Sequence, residues 1–220
     1  MQRVGTYTGA FWVAMMIAAS LAHAVTFSSR PNDAINDLSS ISDTIDTTSD
    51  FTTETILSVY IDINISHTYA GDLTLDLTSP SGTQLQILAR PGGTHPDETS
   101  GLPYGYNADL DRRNRITFID GAGTSAEDLG QGGGTIAVGS YYPDADGWSQ
   151  DISSFAGFAG EIAAGDWVLR VGDYAAGDTG RFVRWQLHIE AVPEPSTNLM
   201  MVVGLIGLAR AGNRTPSPRS

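Results

Sequence analysis

Cysteine and lysine are both missing from this chain, and no stretch of it carries a sustained amphipathic helical pattern. Without cysteine there is no disulfide to brace a small fold, so stability has to come from core burial or from bound ions. Zinc has little to draw on for the same reason, because His67, His95 and His188 are the only histidines beyond residue 24. Without lysine every fixed side-chain cation is an arginine. Between residues 25 and 192 eight arginines stand against 24 Asp and Glu, a net charge of −16. A field of that sign repels phosphate backbones and anionic lipid, which argues against nucleic-acid and membrane-surface functions and in favour of divalent cations or basic surfaces. What is abundant is glycine, 25 residues, with ten prolines. Frequent turns and few helix formers point to an all-β domain.

The two ends read as addresses. Arg3, an apolar run from Ala10 to Leu21 and the small-x-small step Ala22-His23-Ala24 form a secretory signal peptide cleaved after Ala24. The run is well short of the roughly 20 apolar residues that cross a bilayer. At the other end, Val192 precedes Pro193-Glu194-Pro195-Ser196-Thr197, an apolar stretch from Leu199 to Ala209, and the basic residues Arg210, Arg214 and Arg219. That order resembles the PEP-CTERM sorting signal of Gram-negative bacteria. The resemblance implies transient membrane anchoring through the tail, processing by an exosortase at the Pro193-Glu194-Pro195 motif, and a mature protein that has lost both ends. The layout is then a signal peptide at 1–24, a mobile leader at 25–37, a folded domain at 38–191 and a sorting tail at 192–220.

Within the domain a period of two recurs. From Ile56 to Ile65, Leu57, Val59, Ile61, Ile63 and Ile65 alternate with Ser58, Tyr60, Asp62 and Asn64, which predicts a strand with one buried face. Leu73, Leu75 and Leu77 continue the pattern, and Leu85, Ile87 and Ala89 follow across the turn Ser79-Pro80-Ser81-Gly82, so these two strands make a hairpin. Residues 90–165 read as irregular and Gly-rich, densest at Gly130 to Gly134 and broken by Ile116, Phe118 and Ile119. Order returns at Trp167, Leu169 and Val171, then at Trp185, Leu187 and Ile189. Short alternating strands between Gly and Pro turns imply a jelly-roll-like β-sandwich anchored by Trp167 and Trp185.

Two blocks carry a family resemblance. Ile65-Ser-His-Thr-Tyr-Ala-Gly-Asp-Leu-Thr-Leu-Asp-Leu-Thr-Ser-Pro-Ser-Gly82 resembles the opening signature of the proprotein convertase P domain (P/Homo B). Gly165 to Asp173, Gly177 to Gly180 and Trp185 to Ile189 resemble its closing signature. The resemblance runs from about Leu38 to Glu190 and implies a β-sandwich that, in the family, usually follows a subtilisin-like protease and stabilises it.

Catalytic readings of the residues are poor. Gly123-Thr124-Ser125-Ala126 is similar to the segment around a subtilase nucleophile, but Glu127-Asp128 follow where that motif ends in Pro, and no parallel α/β scaffold is present to bring a base to it. His67 is expected to hydrogen-bond a loop carbonyl. Hard-cation ligands are the better prospect: Asp72, Asp120, Asp173 and Asp178 all fall at strand ends, and calcium takes six to eight oxygens from such loops. The expectation is therefore a non-enzymatic, exported binding or adhesion module, with calcium at those four aspartates and an extracellular protein or polysaccharide as partner. The alternative is an accessory domain that docks onto a separate subtilisin-like protease.

Overall fold

The computed structural model describes residues 21–93, 105–144 and 151–193. Residues 1–20, with most of the expected signal peptide, and the expected sorting tail from Glu194 onward lie outside the described residues. Among those described, no helix is long and apolar enough to cross a membrane. The only helical pieces described are short 3-10 turns.

Twelve strands are formed among the described residues. The longest are β4 (Thr55–His67) and β12 (Gly180–Val192), which pair antiparallel along their whole length. They centre a six-stranded sheet in the order β1 (His23–Ser29), β12, β4, β8 (Ile116–Phe118), β10 (Gly139–Tyr141), with β2 (Asp33–Ile35) also on β12. The second sheet runs β3 (Ser40–Asp46), β11 (Asp166–Asp173), β5 (Leu73–Thr78), β6 (Gln84–Ala89). A two-stranded parallel ribbon, β7 (Ala108–Asp109) with β9 (Gly134–Thr135), stands apart from both. One core joins the two large sheets. Ile61, Ile63 and Ile65 of β4 and Trp185, Leu187 and Ile189 of β12 cluster with Leu73, Leu75 and Leu77 of β5 and Trp167, Leu169 and Val171 of β11. The alternation therefore does what its period requires, with one apolar face per sheet turned inward and the polar face outward.

The leader is a correction. Residues 25–37, expected to be mobile, supply β1 and β2 of the larger sheet, and Ile35 is fully buried. The reason is visible in the residues: Val25 and Phe27 sit two apart and pack on the core, Phe27 5.8 Å from the ring of Phe51, while Thr26 between them and Ser28 after them face outward. Leu38, expected to open the domain, is 64% exposed and sits at a positive φ of 52°. Leu57 is a second correction. It is exposed because the β4–β12 register shifts there, with Ser58 opposite Glu190 but Ile56 opposite Ala191, so that one residue is bulged out and the parity restarts.

The irregular middle also holds more order than its composition suggests. Parallel pairs β7–β9 and β8–β10 run through it. The glycine run serves the first of them. Gly130 has φ +92°, and a Cβ there would sit 2.8 Å from the Ala108 Cβ, so a bare backbone is what lets this loop close on β7. Phe155 and Phe158, on a 3-10 turn, are buried, and Phe158 meets Trp167 edge-on at 5.2 Å.

Candidate functional site

At one end of the sandwich the ends of β4 and β11 and the turn into β5 meet. His67 closes β4, Asp173 closes β11, and Asp72 precedes β5 in the 3-10 turn Ala70–Asp72. All three are 2% exposed. His67 Nε2 donates to Asp173 Oδ2 at 3.2 Å, since a carboxylate can only accept, and Nδ1 closes on the Tyr69 backbone, 2.8 Å from its carbonyl oxygen. Asp173 Oδ1 takes the Ala175 N–H at 3.2 Å. Asp178 stands on the same corner, accepting the Thr68 hydroxyl at 2.6 Å. Asp72 is the member without a partner: its Oδ1 is buried and accepts no hydrogen bond. Burial, then the neighbouring charges of Asp173 and Asp178, push its carboxyl up to about 6, with His67 and Arg90 opposing them.

Three of the four aspartates expected to bind calcium thus gather here, and Asp120 does not. Asp120 caps the 3-10 turn at Phe155–Phe158, accepting from Phe155 N at 3.1 Å and Ala156 N at 2.7 Å. Among the described residues no three His, Asp or Glu side chains are grouped so as to hold a metal ion. The carboxylate oxygens of Asp173 and one of Asp178 are already committed to protein donors, whereas Asp72 Oδ1 is buried with no donor.

A cleft of about 400 Å³ opens beside the corner, lined by Ser66, Thr68, Thr179, Asp109, Arg112 and Arg113 among others. Ser125 is remote from His67 in bonding terms: its hydroxyl donates to Asp144 at 2.5 Å and accepts from Glu127 N at 3.0 Å. One polar network had no sequence signal. On the outer face of the larger sheet His188 bridges Thr26, through Nδ1 at 2.9 Å, and Asp62, through Nε2 at 3.1 Å, and its ring stacks on Tyr60 at 4.0 Å. Burial raises the Asp62 carboxyl, but hydrogen bonds from His188 and Thr117 and the charge of Arg115 outweigh it and hold it below its ordinary range. These residues are scattered over four strands, and their outward parity reads as ordinary solvent-facing positions.

The proprotein convertase P-domain family model matches residues 56–108 and 142–189. Over these two segments the sandwich is similar to a P-domain. Both matched segments contribute to the corner, the first with His67, Tyr69 and Asp72, the second with Asp173 and Asp178. Among curated proteins, the leupeptin-inactivating enzyme 1 of Streptomyces exfoliatus is 36% identical over 70 residues, which is 32% of this chain and 16% of that enzyme. Among solved structures, the serine protease of Aeromonas sobria, determined alone and in complex with its chaperone, superposes with a TM-score of 0.45 at 18% identity in each case. The match covers 79% of this chain and 28% or 27% of the protease chain. The chain thus spans less than a third of the length of each of these relatives.

The corner at Asp72 makes a pH prediction. A carboxyl whose folded value is about 6 against an ordinary 3.8 favours folding when protonated. Its contribution is full below about pH 4 and is lost as pH rises through about 6. A rise from 3.8 to about 6 is worth about 3 kcal/mol at roughly 1.4 kcal/mol per pH unit. Asp72→Asn, which keeps the shape without the charge, is expected to be more stable than the parent at pH 7 by up to that amount and equal to it near pH 4. Urea unfolding at both pH values checks this, and a constant difference across the range would refute it.

Proposed function

We propose that this chain is an exported, non-catalytic P-domain module that acts by binding. The observation that carries the reading is the fate of the signature residues. His67, Tyr69 and Asp173, the groups with chemistry to offer, spend their hydrogen bonds on one another and on backbone at 0% side-chain exposure for the His67–Asp173 pair. A buried, satisfied polar group fixes a corner of the fold and presents no atom to a substrate. Calcium and exosortase processing belong to the same reading. Loss of residues 1–24 would shorten β1 by His23 and Ala24 and leave Val25 to Ser29 to pair with β12.

The experiment has two readouts. Protein recovered outside cells that express the full chain is expected to begin at Val25 and to lack the residues after the Pro193-Glu194-Pro195 motif, by intact mass. The same protein is expected to leave casein, leupeptin and polysaccharides uncleaved over hours. Turnover that disappears in Ser125→Ala would refute the non-catalytic reading.

A second reading follows from the family itself: the module docks onto a separately encoded serine protease and stabilises it. A protease melting temperature that rises with added P-domain protein would support this, and one that does not move would oppose it.

A further inference from the structure

Arginine is unevenly placed on this acidic molecule. Six of the eight arginines between residues 25 and 192 meet at one end of the outer face of the larger sheet. The register sets Arg184 opposite Asn64 and Arg181 opposite Ser66, and Ser29 pairs with Trp185, so Arg30 follows beside Arg184. The Arg112 carbonyl takes the Asn64 side-chain amide at 3.1 Å, and Arg115 reaches Asp62 at 3.6 Å, which lays the loop before β8 along β4. The other two arginines are elsewhere, Arg170 against Asp76 on the second sheet and Arg90 against the Gly71 carbonyl.

Arg181 gives one N–H to the Asn32 carbonyl, but the other cations keep donors to spare. Arg113 is 80% exposed at 4.0 Å from Asp111, and Arg115 is 56% exposed. The buried Nε of Arg184 has no hydrogen-bond partner. The acids at this end are Asp62, Asp109 and Asp111, with Asp33 and Asp178 at the rim. Asp62 is bound by His188 and Thr117, and Asp178 by Thr68. Arg112, Arg113 and Arg115 fall in residues 109–141, the segment that the P-domain family model leaves unmatched.

We infer that this end of the sheet, with the cleft beneath it, is a binding surface for an acidic polysaccharide, a chain of carboxylate-bearing sugars. Guanidinium groups pair bidentately with carboxylates. The hydroxyls of Ser66, Thr68, Thr135 and Thr179 line the same cleft and suit sugar hydroxyls. The occupant is a sugar chain and not an acidic protein because the cleft offers no apolar anchor: its one aliphatic side chain, Leu110, is only 4% exposed, whereas protein interfaces centre on buried aromatic and apolar contacts.

The inference rests on the binding-module reading, and the test separates the two. Protein expressed from the full chain is titrated with fluorescein-labelled polygalacturonate, with dextran of matched length as the neutral control. Binding is expected to polygalacturonate alone and to weaken at least tenfold between ~0.05 M and ~0.5 M salt. It is also expected to weaken at least tenfold in Arg112→Gln/Arg113→Gln, two exposed positions at which the melting temperature should not change. Equal binding of dextran, an unaffected double variant, or polyaspartate bound as tightly as polygalacturonate would each overturn the inference. Absence of binding with no reducing ends released would overturn it while leaving the non-catalytic reading intact; release of reducing ends would sink that reading instead.

Discussion

Trp185→Ala is expected to cost about 3–5 kcal/mol of folding free energy, a large part of the stability of a domain this size. Trp185 is fully buried on β12, in the middle of the strand that pairs with both β1 and β4. Truncation removes its apolar contacts and leaves a cavity that two hydrogen-bonded neighbours cannot collapse into. It also removes a tie between the sheets, since the indole N–H donates to Asp43 of β3, in the opposite sheet, at 2.6 Å. Trp185→Phe separates the two effects: it keeps most of the volume and loses the hydrogen bond, and should cost about 1–2 kcal/mol. Urea denaturation measures both. A loss below about 1 kcal/mol for the alanine variant would mean that Trp185 does not anchor the core.

His67→Ala is expected to cost roughly 2–4 kcal/mol, by a different route. The ring is 2% exposed, and its removal strips Asp173 Oδ2 of its donor while Asp72 and Asp178 stand close by. A buried carboxylate oxygen left without a donor bears its desolvation penalty uncompensated, although Oδ1 keeps the Ala175 N–H, and the vacated space adds a cavity term. The coupling is the sharper readout. His67→Ala/Asp173→Ala should cost at least about 1 kcal/mol less than the sum of the single variants, because the second removal takes away the charge that the first had orphaned. Strict additivity would show that the pair does not act as a unit.

The divided fate of the four aspartates expected to bind calcium shows what strand-end position can and cannot tell. Asp72 and Asp173 both flank strands that pair directly, Asp173 opposite Leu73, so adjacency in the sheet brings them together. Asp120 also flanks a strand, but its neighbour in space is the turn at Phe155, over thirty residues away, whose N–H groups it satisfies. Local sequence carries no signal for which free backbone donors a loop carboxylate will meet.

Several features of this protein follow from the residues alone, because their cause is local. Alternation of period two in β4, β5, β11 and β12 determines which side chains can share a face, and Trp167 and Trp185 accordingly lie in the core. The Pro80–Gly82 turn dictates the β5–β6 hairpin, and the two signature blocks fall within the segments that match the P-domain family model. Other features were decided only when the chain closed on itself. The edge of β12 was open, and a polar N-terminal stretch with just Val25, Phe27 and Ile35 to bury could be recruited to cover it. Leu57 faces solvent because of a bulge that depends on the partner strand. The gathering of Arg30, Arg112, Arg181 and Arg184 at one end of a sheet is likewise a property of register. Residues more than a hundred positions apart become neighbours only through hydrogen bonds between backbones, and backbone hydrogen bonding is indifferent to the charge that each side chain carries.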